Sequence, residues 1–150
     1  MNIITGRYKG RVLHSIDSLG TRPTLARVKE STFDMIDEKI PGAVVLDLFA
    51  GSGALGIECL SRGAKKVFFV DNNPQAKQVI LKNLIRVVEP YDIDIFDFKV
   101  ALMTFKKQNL KFDLVFLDPP YNSDYGEIAL ELMAELKLLN KGATIIYEED

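Results

Sequence analysis

The chain has 150 residues, enough for one domain with a buried core, and its composition (47% hydrophobic, 27% charged) is that of an ordinary globular protein. No apolar run approaches the ~18 residues of a membrane span, and the first residues, Met-Asn-Ile-Ile-Thr-Gly-Arg, lack the apolar core of a secretory signal. The one cysteine, Cys59, excludes an internal disulfide and, with the one histidine, His14, argues against a Cys/His zinc site, so a reducing cytoplasm and no metal are expected.

The net charge of −2 hides an asymmetry. Residues 1–29 carry Arg7, Lys9, Arg11, Arg22, Arg27 and Lys29 against Asp17, which makes this segment +5 and the remainder −7. A basic segment on an acidic body suits a polyanion, and equally a solvated basic hairpin.

In chain order, residues 3–5 and 11–13 are short strand candidates, with Gly6 and Gly10 framing a turn-prone Arg-Tyr-Lys, so a hairpin is expected. Residues 17–23 form a loop. Thr24 can cap a helix that runs to Ile36 or beyond, with Leu25, Val28, Thr32, Ile36 and Ile40 on one face, until Pro41-Gly42 breaks it. Strand and helix then alternate: strands over 44–49, 66–70, 92–96, 112–117 and 143–147, helices over 54–61, 74–87, 100–107 and 127–138. Such alternation predicts an α/β protein with a mostly parallel sheet covered on both faces. Residues 1–40 read as a basic extension and 41–150 as the core of one compact domain.

The first core strand runs into Asp47-Leu48-Phe49-Ala50-Gly51-Ser52-Gly53-Ala54-Leu55-Gly56, which opens a helix. Glycines in that place allow a sharp turn and bring a ligand close to a helix N-terminus; a tight turn without ligand is the plain alternative. Asp71 ends the next strand, 20 residues after Gly51, and can accept both hydroxyls of an adenosine ribose or cap the helix near Pro74. Asp97-Phe98 ends the third strand. Asp97 can accept an adenine amine and Phe98 can pack on the ring, or the two are an ordinary strand-end acid and core residue. A carboxylate at position 47 would repel a pyrophosphate and suits a ligand with an ammonium group, which points to S-adenosylmethionine rather than a dinucleotide.

The fourth strand ends in Asp118-Pro119-Pro120-Tyr121. Two prolines stop the strand and leave a carboxylate, a carbonyl and an aromatic ring together at its edge. The carboxylate and carbonyl accept hydrogen bonds from an exocyclic amine, and the tyrosine face stacks on a flat base.

These motifs, with Gly6-Arg7-Tyr8-Lys9-Gly10-Arg11, Thr21-Arg22-Pro23-Thr24, Arg27-Val28-Lys29-Glu30-Ser31 and Leu60-Ser61-Arg62-Gly63-Ala64, closely resemble the RsmD-like family over nearly the whole length. That family comprises bacterial methyltransferases that modify N2 of a guanine in 16S ribosomal RNA. The glycine loop and Asp-Pro-Pro-Tyr are shared with many amino-methyltransferases; the Thr-Arg-Pro-Thr and Ser-Arg-Gly-Ala segments are the discriminating ones. The resemblance implies a Rossmann-like class I methyltransferase fold, S-adenosyl-L-methionine as cofactor, and 16S rRNA in the small ribosomal subunit or an assembly intermediate as partner. By position, Asp47, Phe49, Gly51, Gly53, Asp71 and Asn72 would hold the cofactor, with Asp97 and Phe98 near adenine. Asp118, the Pro119 carbonyl and Tyr121 would hold the guanine, and Arg7, Lys9, Arg11 and Arg22 would contact RNA phosphates, Arg22 alternatively shaping the cofactor pocket. Such enzymes finish the sheet with two further strands, whereas this chain ends at Glu148-Glu149-Asp150, just past the fifth strand, so an open sheet edge is expected unless something covers it.

The rival readings are an adenine-N6 methyltransferase, which Asp-Pro-Pro-Tyr serves equally well, a non-catalytic RNA-binding module on the same fold, and a nicotinamide oxidoreductase, against which Asp47 speaks.

Overall fold

A computed structural model of the chain describes residues 1–16 and 23–148. Helix α1 (Pro23–Ile36) passes through a 3-10 turn (Asp37–Lys39) into a doubly wound core: β1 (Val44–Leu48), α2 (Ala54–Ser61), β2 (Lys66–Asp71), α3 (Pro74–Asn83), β3 (Tyr91–Ile95), α4 (Phe98–Lys107), β4 (Phe112–Leu117), α5 (Tyr125–Glu135) and β5 (Leu139–Tyr147). The five strands are ordered β3-β2-β1-β4-β5, and every pairing is parallel. The order reverses at β1, so the crevice between the β1 and β4 ends is where such sheets bind ligands.

Strand parity divides the core. Val45, Val67, Phe69, Leu114 and Phe116 pack with α1, α2 and α3 through Phe33, Ile57, Leu60 and Ile80. Leu46, Leu48, Phe68, Val70, Val115 and Leu117 pack with α4 and α5 through Leu102, Phe105, Ala129 and Met133. Asp47 and Asp71 share the parity of Val45 and Phe69 and therefore belong to the α2–α3 face. No described helix is long and apolar enough to cross a membrane.

Several boundaries differ from the sequence reading, each for a local reason. The expected hairpin forms but is short: around the antiparallel bridge of Asn2 with Val12, the Ile3, Gly10 and Leu13 N–H groups donate to the Arg11, Ile3 and Met1 carbonyls at 2.9, 2.8 and 2.8 Å, while the Ile4 and Thr5 N–H groups go to Glu58. Helix α3 stops at Asn83 rather than 87: Arg86 takes a left-handed φ of 66°. Helix α4 starts two residues early because Asp97 caps it, accepting the Lys99 N–H at 2.8 Å. Strand β5 starts at Leu139 rather than 143, with an irregularity opposite Phe112 and Leu114 of β4 absorbing the three extra residues that β5 has between Leu139 and Thr144.

Residues 1–16 are clamped to the core rather than hung from it. Gly6 lies so close to the end of α2 that a Cβ there would sit 2.0 Å from the Ser61 carbonyl oxygen. Ser61 Oγ accepts the Tyr8 N–H and donates to the Thr5 carbonyl. The fully buried Glu58 gathers the Ile4 and Thr5 N–H groups, Lys29 at 3.2 Å and Arg62 at 2.9 Å. A carboxylate so deeply buried persists only when its lone pairs are filled, and burial lowers the pKa of Lys29 in the same cluster.

Candidate active site

The β1–α2 loop is a closed structure. Phe49 leaves the strand at φ 66°, Gly51 and Gly53 follow at φ 57° and 82°, and the Gly53 N–H turns back to the Ala50 carbonyl at 2.8 Å. The two later glycines of the motif serve packing: a Cβ at Gly53 would lie 3.1 Å from Ile80, and one at Gly56 would lie 2.4 Å from the Phe69 ring. Gly51 alone faces open space. The loop is tied to β2 by the Ala50 N–H on the Val70 carbonyl, 2.8 Å, and by the Gly51 N–H on Asp71 Oδ2, 2.8 Å. Asp71 Oδ1 accepts the Asn73 N–H at 2.9 Å. The helix-capping role open to Asp71 falls instead to Asn73, whose side chain accepts the Gln75 N–H at the start of α3.

Beside Asp71 a cleft of about 310 Å³, counted out to its open mouth, is lined by Phe49, Val70, Asp71, Asn72, Phe96, Asp97, Phe98, Pro120 and Tyr125. Five of the eight cofactor residues expected from sequence are on its wall: Phe49, Asp71, Asn72, Asp97 and Phe98. Asp97 both caps α4 and lines the cleft. The Phe49 ring sits 5.1 Å from Phe98 and 6.3 Å from Tyr125, and Phe98 and Tyr125 are 5.3 Å apart. Asp47, Gly51 and Gly53 do not line the cleft. The Asp47 carboxylate is 1% exposed and accepts the Gly56 N–H at 3.0 Å, bracing the first turn of α2. Burial pushes its pKa well above the usual carboxylate range; the Gly56 N–H pulls the other way, and the charges of Asp118 and Asp71 add to the rise. The Asp47 side chain is thus turned under α2 and not toward the cleft, where the sequence reading set it against a ligand's ammonium.

Electrostatics brings the two halves together. Asp118 follows β4, which pairs with β1 in a register that sets Asp47 opposite Phe116, and its charge reaches Asp47. The β4–α5 loop is open where the glycine loop is closed. Asp118 and Tyr121 are exposed, Tyr121 at 70%, and Ser123 closes a turn by donating its N–H and hydroxyl to the Pro120 carbonyl. Pro120 reaches the cleft wall, so the Asp-Pro-Pro-Tyr loop borders the pocket lined by Asp71 and Phe98. No group of three or more His, Cys, Asp or Glu side chains placed to hold a metal ion occurs among the described residues.

The basic residues are spread more widely than the sequence suggested. Arg7 is exposed and pairs with Glu89 at 3.1 Å, and its backbone N–H is bonded to Ser61 at the far end of α2 from the glycine loop. Lys9 is exposed. Arg11 turns inward: its guanidinium lies 5.0 Å from the Tyr8 ring centroid and donates to the Asn83 carbonyl at 3.1 Å. Arg22 lies outside the described residues.

A family model described as "Conserved hypothetical protein 95" matches residues 1–150. The chain belongs to this family. It is 40% identical over 152 residues to YlbH of Bacillus subtilis, covering 100% of this chain and 83% of that protein. It is 37% identical to the ribosomal RNA small subunit methyltransferase D of Haemophilus influenzae, covering 100% and 79%. The solved structure of the Escherichia coli protein yhhF superimposes with a TM-score of 0.82 at 31% identity, covering 97% of this chain and 79% of that one. The family and fold expected from the motifs are those found.

Two site residues escaped the sequence reading. Tyr125 had no signal beyond its nearness to Tyr121, because its place on the cleft wall depends on how soon α5 begins. Asn83 did carry a signal: it continues the buried face of α3 marked by Ala76 and Ile80, and a polar side chain on a core face must find partners. Its amide accepts the His14 N–H at 2.7 Å and donates to the His14 and Ser52 carbonyls, each at 3.0 Å. Asn83 thus joins the N-terminal segment to the glycine loop.

Proposed function

We propose that this protein transfers a methyl group from S-adenosylmethionine to small-subunit ribosomal RNA in the cytoplasm, and that the acceptor is the exocyclic N2 of a guanine. The observation that carries the reading is the shared border: one cleft wall is made of Asp71, Phe98 and Pro120, and the charge of Asp118 acts on Asp47 across the β1–β4 crevice. Family membership and the resemblance to small subunit methyltransferase D supply the substrate class.

The residues fit the cofactor. Asp71 stands where a ribose diol needs an acceptor, Phe98 and Phe49 offer apolar ring surface for a purine, and Gly51 leaves the loop open on the ligand side. Asp71 and Asp118, whose charges both act on Asp47, make the strand ends negative, which favours a ligand carrying a sulfonium and an ammonium and opposes a pyrophosphate. When bound, the cofactor supplies an electrophilic methyl carbon.

The chain's own residues act on the nucleophile. The N2 lone pair of guanine is delocalised into the ring. Asp118 and the Pro119 carbonyl accept its two N–H bonds, draw the nitrogen toward tetrahedral geometry and free the pair. Positive charge developing on nitrogen is met by the Asp118 carboxylate, a preorganised electrostatic effect, and Tyr121 stacks on the extruded base. The proton leaves after transfer, so no buried general base is required.

The test uses labelled S-adenosylmethionine and small subunits from a strain lacking this activity, followed by mapping of the modified nucleoside. Label on guanine N2 is expected. Label on adenine N6 would move the protein to the rival specificity, and RNA binding without label would make it a non-catalytic module.

A further inference from the structure

The same reading of the site, carried to the surface, points to RNA contacts beyond the N-terminal segment. We propose that Lys82 and Arg86, at the end of α3, form one continuous phosphate-binding face with Arg7, Lys9 and Arg11. The two halves of this face are bonded to each other. Arg11 donates to the carbonyl of Asn83, the residue after Lys82, at 3.1 Å. The Tyr8 hydroxyl accepts the Val88 N–H at 3.1 Å and donates to Glu89, and Arg7 pairs with Glu89 at 3.1 Å. Lys82, Arg86, Arg7 and Lys9 are all exposed. Of these, Arg7 is paired with Glu89, and apart from the five cations the chain carries a net negative charge. The exposed Glu127, Glu131 and Glu135 recur every four residues along α5, on the other face of the sheet, so a polyanion is disfavoured along that helix.

Placement relative to the chemistry supports the same reading. Asn83, whose carbonyl accepts from Arg11, is bonded through its side chain to Ser52 of the glycine loop, so the face lies one residue away from that loop. A strand of RNA laid along the face keeps its phosphates on cations while an extruded base enters at Asp118. Arg86 is also held in a left-handed conformation, φ 66°, that ends α3 and turns the following residues back toward Tyr8.

The proposal rests on the methyltransferase reading, and the test separates the two. Binding of small ribosomal subunits lacking the modification is measured against salt for the wild type, for Lys82→Glu/Arg86→Glu, and for a control, Lys106→Glu/Lys107→Glu, whose sites lie in the last turn of α4 on the opposite face. The α3 double variant is expected to bind about tenfold more weakly, with a log–log salt slope reduced by about 1.4–1.8. Its S-adenosylhomocysteine affinity is expected to be unchanged, and so is the control's subunit binding. Unchanged binding and slope in the α3 variant, as a surface made for a protein partner would give, overturn the proposal and leave the function standing. Equal weakening of both variants overturns it as a net-charge effect. A wild type that neither binds nor methylates subunits overturns the function and the proposal together.

Discussion

Two loops leave adjacent strands of this sheet, and they are built in opposite ways. Between Phe49 and Gly56 the backbone is consumed internally: Ala50, Gly51, Gly53 and Gly56 each donate to a fixed acceptor, and two glycines are pressed against core side chains. Between Asp118 and Asp124 the chain is exposed, stiffened by two prolines and one Ser123–Pro120 turn. A cradle that is already formed binds a small ligand with little ordering cost, whereas a large, flat substrate needs a platform that stays open until it arrives. The two aspartates show the difference in miniature. Asp47 is buried and holds a helix; Asp118, on the next strand, is exposed.

The sharpest way to break the comparison is at Asp118. Asp118→Ala is expected to lower methyl transfer by at least ~10²–10³-fold, the loss typical of removing one preorganised electrostatic partner. S-adenosylhomocysteine affinity, measured by calorimetry, is expected to stay near that of the wild type. On the other loop the outcome reverses. Gly56→Ala places a Cβ 2.4 Å from Phe69 and 2.8 Å from Val67, so it is expected to cost roughly 1–3 kcal/mol of stability through overpacking. The readout is a lower Tm in thermal unfolding.

Next in size is Tyr121→Ala. Loss of base stacking is expected to weaken RNA binding by about 1–3 kcal/mol, seen as a raised KM for subunits, with no change in Tm because the ring is 70% exposed.

The smallest effect concerns Asp47. Burial raises its pKa in the folded state, so the fold binds that proton more tightly than the unfolded chain does. Stability therefore falls as pH rises from the unfolded value through the folded one. Asp47→Asn keeps an oxygen for the Gly56 N–H and removes the charge. Its Tm advantage over the wild type is expected to be nil near pH ~3 and to grow toward neutrality. A constant difference across that range would mean that the carboxyl ionises without penalty.

Most of the fold could be read from the residues, because near-continuous apolar runs such as Phe112–Leu117 mark strands buried on both faces of a parallel sheet. A boundary went astray where a side chain outside the pattern took over the backbone, Asp97 at the start of α4, and the short hairpin gives its Ile4 and Thr5 N–H groups to Glu58, a contact no local pattern signals. For the site, motif position found the cleft wall from Phe49 to Phe98, since strand ends converge wherever the topology reverses. It misjudged Asp47, because parity places that side chain under α2 and spacing along the chain carries no information about depth. Tyr125 and Asn83 depend on long-range contacts, Phe49 with Tyr125 and His14 with Asn83, that join distant parts of the chain only after folding.

The central claim is that cofactor and base meet at the β1–β4 crevice, and a crystal structure with S-adenosylhomocysteine tests it most directly. The account predicts the ribose on Asp71, the adenine against Phe98, and the sulfur directed toward Asp118. A ligand seated away from Asp71, or a sulfur facing away from Asp118 with the Asp-Pro-Pro-Tyr loop out of reach, would contradict it.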